Sequence, residues 1–318
     1  VPSAKIRFAR TAEFADSPTA ELAYFPMSRA DFHLVWKVSV PENGLGNIYE
    51  IYVDTSSAQI LYRSNLTKYF DSEGGFPNTT TISPGTPSSV SLSTEDATLS
   101  VYDIDSPTPI TGTQTRSLIS MLAAQNASAS PDGWMDDTTS ITAGNNVEAY
   151  TDANGDDLPD AGSEPTGSSY RVFDYAMNLA LAPSNYRPAS VTQLFFANNY
   201  MHDRLWAVGF DEPAGNFQFD NFGRGGSGND DVQAESQDGG GTNNANFSPP
   251  PDGSRPLMQM YIGTNFVPNH DGSFDTHVVF HEYGHGWSIR LVGGPANIGV
   301  LNNDQQMGEG LADFVGML

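Results

Sequence analysis

Three short segments near the start of the chain have the composition and spacing of β-strands. In residues 32–40 every even position is apolar, and residues 48–54 and 60–66 are also rich in β-branched and aromatic residues. A short turn at residues 55–58 joins the last two segments. The pattern predicts a small β meander within residues 1–68.

Residues 191–206 follow a different pattern, with apolar residues at spacings of three and four. This spacing predicts a helix with one apolar face. Pro188 and Ser190 are typical residues for its start. His202 falls on the apolar face, where a hydrogen-bonded core histidine is more common than a metal ligand.

Two polar stretches separate these elements. Residues 71–93 are rich in Ser, Thr, Pro and Gly, and we predict an exposed connector that a protease could cut. Residues 221–256 are dense in Gly, Asn, Asp and Pro, which predicts a long loop region. A loop of that length inside a domain is usually functional or stabilised by an ion.

The segment from His281 to His285 has the pattern HExxH. Residues four apart on a helix lie on the same face, so both imidazoles can bind one tetrahedral zinc ion. Glu282 then lies next to the open coordination position, where it can take a proton from the zinc-bound water. Gly284 is a poor helix former, and we expect its missing side chain to allow close packing beside the metal.

A catalytic zinc site needs a third protein ligand. Glu309 follows 24 residues after His285, and Asp313 lies four residues further on, so a helix would place both carboxylates on one face. Glu309 can then bind zinc while Asp313 accepts the second ring proton of His281. Without the HExxH segment, a capping glutamate and a surface aspartate would be the better interpretation.

Composition narrows the classes of function. The 318-residue chain has no cysteine, which excludes disulfides, thiolate metal sites and cysteine nucleophiles. Residues 1–68 hold seven of the 14 basic and seven of the 38 acidic residues, so residues 69–318 carry the whole net charge of -24. So acidic a surface argues against nucleic acids and anionic membranes as partners. No apolar run is long enough to span a membrane.

One acidic segment has the spacing of a calcium loop. Its candidate oxygen ligands stand at every second residue or nearly so: Asp152, Asn154, Asp156 and Asp160. The twelfth position is Ser163, where a full calcium-binding EF-hand has a bidentate glutamate. Calcium binding and a plain acidic turn therefore both remain open.

Taken together, the motifs resemble those of the fungalysin family of zinc metallopeptidases, relatives of thermolysin. Residues 281–286 resemble the family's HEYxHG, and residues 308–313 resemble its GEGxxD. Residues 201–218 and 241–253 resemble its conserved approach segments. The resemblance covers most of the chain, and residues 32–66 resemble the end of the family's propeptide.

The resemblance implies an α+β fold. A small β-rich propeptide remnant, residues 1–68, would precede a thermolysin-like zincin catalytic domain, residues 69–318, with its active-site helices near the end. Asn244 and Ala245 would lie on an edge strand beside the zinc and pair with an extended peptide, unless they form a plain polar loop. The helical C-terminal lobe and its oxyanion-stabilising histidine are expected beyond Leu318, so we expect the chain as given to be a poor peptidase.

The sequence thus predicts a secreted, extracellular zinc endopeptidase precursor that binds one zinc ion. It would act on internal peptide bonds of extracellular proteins and be inhibited by its own propeptide. A zinc aminopeptidase would need an acidic amine-binding motif, and residues 256–280 show none of the usual form. An inactive, calcium-stabilised binding module is the alternative from another class, and the intact Glu282 argues against it.

Overall fold

The computed structural model describes residues 5–9, 17–28, 31–41, 48–65, 93–103, 115–301 and 307–316. The chain divides into two compact units, Val1–Pro77 and Asn78–Leu318. Within the described ranges, no helix is long and apolar enough to cross a bilayer. Nearly all of the predicted connector at residues 71–93 lies outside the described residues.

The N-terminal unit is an antiparallel sheet with the strand order β1-β2-β3-β4-β5. Its strands are β1 (Ile6–Arg7), β2 (Thr19–Ser28), β3 (Asp31–Pro41), β4 (Ile48–Asp54) and β5 (Ile60–Asn65). The three predicted strands are confirmed, and β1 and β2 extend the meander. In β3 the alternation does not mark the buried face, because Phe32 and Leu34 are exposed whereas Val35 is buried.

The described residues of the second unit form two sheets. The smaller one, in the order β7-β6-β9, consists of β6 (Thr98–Val101), β7 (Ser117–Ser120) and β9 (Val172–Phe173). The larger one, in the order β11-β12-β10-β8, consists of β8 (Val147–Thr151), β10 (Val232–Thr242), β11 (Ala245–Ser248) and β12 (Leu257–Gly263). A short strand, β13 (His270–Asp271), also pairs with β12. Strands β8, β10 and β12 are parallel, and β11 runs antiparallel at the edge.

The described part of the unit also holds four α-helices: α1 (Met121–Ala124), α2 (Arg187–Trp206), α3 (Thr276–Gly293) and α4 (Met307–Gly316). The fold is therefore mixed α+β, with several sheets and few helices. The helix predicted for residues 191–206 is confirmed as α2, which begins four residues earlier. Pro188 fits its first turn, where the N–H that proline lacks would have no partner within the helix. His202 on this helix is a buried core histidine that contacts Asp203 and Asn216.

The prediction of one long loop over residues 221–256 is wrong in its central part, where β10 and β11 form. Strand β10 is an interior strand of the sheet, and its pairing with β8 and β12 outweighs its glycine-rich, polar composition. One of its buried polar side chains, Ser236, bonds through its hydroxyl to that of Ser190 on α2. Helices α2 and α3 share one hydrophobic core with this face of the sheet.

Candidate metal centre

Helix α3 carries the HExxH segment, and the predicted helix is confirmed. Asp275 caps its start by accepting a hydrogen bond from the backbone N–H of Val278. Val279 and Phe280 are buried in the core and fix the rotation of the helix. His281 and His285 consequently lie one turn apart on the side that faces α4.

Three potential ligand atoms meet between α3 and α4. The Nε2 atoms of His281 and His285 are 3.0 Å apart, and Oε2 of Glu309 lies 3.3 Å and 3.4 Å from them. A tetrahedral zinc ion, with bonds of about 2.0–2.1 Å, holds its ligands roughly 3.3 Å apart. The donor set and its spacing fit zinc, and the role of the three residues as ligands stays a prediction.

Asp313 lies on α4 one turn after Glu309, and its Oδ1 is 2.9 Å from Nδ1 of His281. When it accepts the Nδ1 proton, it leaves the lone pair of Nε2 directed at the centre. Burial opposes protonation of His281, but hydrogen bonds with Asp313 and Glu309 raise its pKa to about 10. Burial also opposes ionisation of Glu309, but the two imidazoles lower its pKa to about 2. Both shifts favour a positive charge on His281 beside a negative charge on Glu309.

Glu282 lies next to the first histidine and is 6% exposed. Burial raises its pKa, and the nearby imidazoles of His285 and His281 partly oppose that effect. A buried carboxylate with a raised pKa exchanges protons more readily near neutral pH than an exposed one. Its environment suits a general base.

Two glycines allow the close packing of α3. A Cβ atom built on Gly284 would lie 2.9 Å from Cα of Ala312 on α4. A Cβ atom on Gly286 would overlap the rings of Phe217 and Phe247 on the opposite side. The predicted close approach at Gly284 is confirmed, and it is the approach of α4 that brings Glu309 to the histidines.

A family profile described as fungalysin metallopeptidase (M36) matches residues 99–318, which include helices α3 and α4. The chain belongs to the fungalysin family.

Curated relatives of this fungalysin are named as extracellular metalloproteinases. Extracellular metalloproteinase 5 of Trichophyton tonsurans is 34% identical over 316 residues, which cover 98% of this chain and 46% of that protein. The protein named extracellular metalloproteinase mep of Aspergillus flavus is 46% identical over 196 residues, or 60% of this chain and 31% of the relative. The chain thus spans about half the length, or less, of the curated relatives it matches.

The predicted substrate residues of this fungalysin lie at the edge of the larger sheet. Ala245 is the first residue of the edge strand β11, and Asn244 immediately precedes it. The ring of Phe247 on this strand packs against Tyr283 of α3, with ring centroids 6.0 Å apart. The edge strand therefore lies against α3, while its contact with substrate stays a prediction.

Sequence reasoning missed the structural part played by Arg290 at the end of α3. Its side chain is fully buried, and the guanidinium lies 3.2 Å from Asp230 and 3.3 Å from Asp252. It also donates to the carbonyls of Gly215 and Pro250. A single arginine in a largely apolar helix is the signal that could have revealed a buried ion pair.

The four candidate calcium ligands lie on the loop after β8: Asp152, Asn154, Asp156 and Asp160. The carboxylate of Asp160 accepts hydrogen bonds from Thr151 and Ala153. The structure groups Asp152 instead with Asp157 and Glu235, whose carboxylate oxygens lie within 4.8 Å of one another. Glu235 was missed because sequence spacing cannot reveal a partner that belongs to another strand.

Proposed function

We propose that this chain carries the catalytic centre of a secreted zinc endopeptidase that hydrolyses internal peptide bonds of extracellular proteins. The observation that carries the proposal is the convergence of His281, His285 and Glu309 beside the buried Glu282. The relatives' names as extracellular metalloproteinases support it.

In this proposal, His281, His285 and Glu309 would hold one zinc ion in a three-ligand site of the catalytic kind. Bound zinc polarises a carbonyl oxygen and lowers the pKa of water. Asp313 acts as a positioning residue, because it keeps the His281 proton on Nδ1. This arrangement fixes the orientation of the ring before substrate arrives.

Glu282 is the proposed general base. Its carboxylate removes a proton from the attacking water, whose oxygen forms a bond to the scissile carbonyl carbon. The C–N bond then breaks, and the proton passes from Glu282 to the departing amine. Burial supports this role, because it raises the pKa of Glu282 toward the range in which both steps are feasible.

An extended peptide is proposed to pair with β11, so that Asn244 and Ala245 contact its main chain. The edge position of β11 and its packing on α3 support this placement. Backbone pairing recognises an extended conformation rather than a terminal amine, which favours cleavage inside a chain.

We further propose that residues 1–68 are a propeptide remnant and that residues 69–318 belong to the catalytic domain. The family match, which begins at residue 99, supports this division. Cleavage between Lys68 and Ser93 is the proposed maturation step. N-terminal sequencing of active enzyme tests it, and an N-terminus at or before residue 30 would contradict it.

The central test compares three variants of the metal centre. Elemental analysis of this chain should find one zinc ion. His281→Ala should lose it. His277→Ala, which replaces an exposed histidine on the same helix, should retain it. Glu282→Gln should keep the zinc, while hydrolysis of a quenched peptide by the full-length gene product falls by roughly 100-fold or more. Undiminished zinc in His281→Ala, or loss of zinc in Glu282→Gln, would overturn the assignment.

A further inference from the structure

A second group of carboxylates lies on the face of the larger sheet that points away from α2. Ser236 of β10 points toward α2, where it bonds to Ser190, so its neighbour Glu235 points to the other side. There Tyr150 donates a hydrogen bond of 3.1 Å to Glu235, and Gln259 donates one of 3.0 Å. Glu235 is fully buried between these two neighbours.

A β-bulge adds a second carboxylate to the same face. Glu235 pairs with Gln259 and Asp238 pairs with Tyr261, so three steps on β10 match two on β12. Gln237 takes up the extra residue with a φ of 52°. In a regular strand Asp238 would point toward α2. The bulge turns it to the side of Glu235.

The loop after β8 covers this face and brings in two more carboxylates. Asp152 accepts hydrogen bonds from the backbone N–H groups of Gly155 and Asp157 at 2.9 Å and 2.7 Å, which fixes the loop. The carbonyl of Asp152 also accepts the N–H of Gly239 in the bulge. Oxygens of Asp152, Asp157 and Glu235 consequently lie within 4.8 Å of one another.

Asp238 supplies a second, independent observation at this group of carboxylates. It is 2% exposed, and although Oδ1 accepts the N–H of Gly240, Oδ2 is buried without a hydrogen-bond partner. Burial and the negative charges of Asp152 and Asp157 raise the pKa of Asp238 to about 6. A buried acceptor without a partner is costly, and Asp238 is repelled by Asp152 and Asp157, which with Glu235 form the group within 4.8 Å.

Among the described residues, no ion pair joins a basic side chain to any of these four carboxylates. Residues 69–318 contain no lysine. Arg187 of α2 reaches β10 but bonds to Gln237 rather than to a carboxylate. The group therefore needs a cation that the chain does not supply.

We propose that Asp152, Asp157, Glu235 and Asp238 bind one calcium ion. The donors are all oxygens, and two oxygens on one calcium ion can lie up to roughly 5 Å apart, given bonds of 2.3–2.6 Å. Four protein carboxylates suit calcium rather than magnesium, which keeps most of its waters and takes one or two carboxylates. This ligand set shares Asp152 with the loop pattern in the sequence but replaces its other members.

The ion would bind the loop of residues 152–157 and the bulge in β10 at the same time, and so would hold them together. The end of β10 leads directly through Asn243 and Asn244 into the edge strand β11. Calcium would therefore stabilise the strand connection that positions the edge beside the metal helix.

The test uses the full 318-residue chain, stripped of metal on a chelating resin and reloaded with one equivalent of zinc. Calorimetric titration with calcium chloride, with magnesium chloride as a parallel arm, gives affinity and stoichiometry. Glu235→Gln and Asp238→Asn each remove one proposed ligand charge. Asp156→Asn is the matched control, because it removes one charge from an exposed side chain of the same loop.

We expect one calcium ion per chain, with an affinity that falls at least about 10-fold in both ligand variants and less than about twofold in the control. Without calcium, the ligand variants should melt at or above the temperature of the parent chain, since a repelling charge is gone, which shows that they fold. With about 1 mM calcium, the parent chain should melt at a higher temperature than both ligand variants. Absence of calcium binding, equal affinity for magnesium, or equal weakening by Asp156→Asn would overturn the proposal.

Discussion

Replacing Gly284 with alanine tests whether the approach of α4 to α3 sets the metal geometry. The new Cβ would lie 2.9 Å from Cα of Ala312, whereas ordinary contacts begin at 3.4 Å, so α4 must move by roughly half an ångström. Metal–ligand distances tolerate only about 0.2 Å. Because Glu309 moves with α4, zinc affinity should fall by roughly 10-fold or more.

The stability of Gly284→Ala combines two opposing effects. Alanine favours the helix by about 1 kcal/mol, and overpacking against α4 costs about 1–3 kcal/mol. The net change should lie between neutral and about 2 kcal/mol destabilising. The variant should therefore fold, and the loss of zinc affinity can be measured by competition with a chromophoric chelator.

Gly310→Ala is the control for this experiment. It lies on α4 next to Glu309, and no atom lies within 4 Å of its Cβ position. It gains the same helix preference, about 1 kcal/mol, without a clash. Zinc affinity within twofold of the parent chain in Gly284→Ala, or an equal loss in Gly310→Ala, would refute the argument that helix approach determines ligand spacing.

Three further predictions concern the surroundings of the metal centre. Asp313→Ala should lower zinc affinity by roughly 10–100-fold in the same competition assay, and unchanged affinity would contradict its positioning role. Arg290→Met should destabilise the chain by about 3–5 kcal/mol in urea unfolding, because it leaves the buried Asp230 without its charged partner. The exposed Arg204→Met should change stability by about 0.5 kcal/mol or less. Burial raises the pKa of Asp137, but four hydrogen bonds from residues 93–95 outweigh this and lower it to about 2. Its stabilising effect is therefore complete above about pH 4 and lost as the pH falls toward 2, which hydrogen exchange at the amide of Thr94 should show as lost protection.

The metal centre was the part of the molecule most accessible from the sequence. The spacing of His281 and His285, and that of Glu309 and Asp313, are local features of two helices, and helix geometry converts each into a shared face. The same holds for β3, β4 and β5, where the period of two identifies strands. Which side of β3 is buried depended on other elements, and the pattern did not reveal it.

Features that depend on distant segments could not be predicted. Strand β10 forms in a glycine-rich, polar stretch because β8 and β12 pair with it on both sides. Arg290 meets acids that lie 60 and 38 residues away in the sequence. The grouping of Asp152 with Glu235 depends on strand register and on one bulge. In each case the deciding contact joins residues that are far apart in the sequence, and the spacing of apolar residues does not predict such a contact.

Gly284 and Gly286, in the middle of α3, have a consequence for the order of folding. Each lowers the intrinsic stability of the helix by about 1 kcal/mol, so α3 is a weak helix in isolation, and its neighbours must hold it together. The surfaces that require Gly284 and Gly286 belong to α4 and to the aromatic rings of Phe217 and Phe247. We therefore expect α3 to consolidate late, after the sheet and its aromatic layer, with low φ-values for its contacts in the folding transition state. Zinc would then be captured by a nearly complete fold and would stabilise the product of folding rather than guide its first steps.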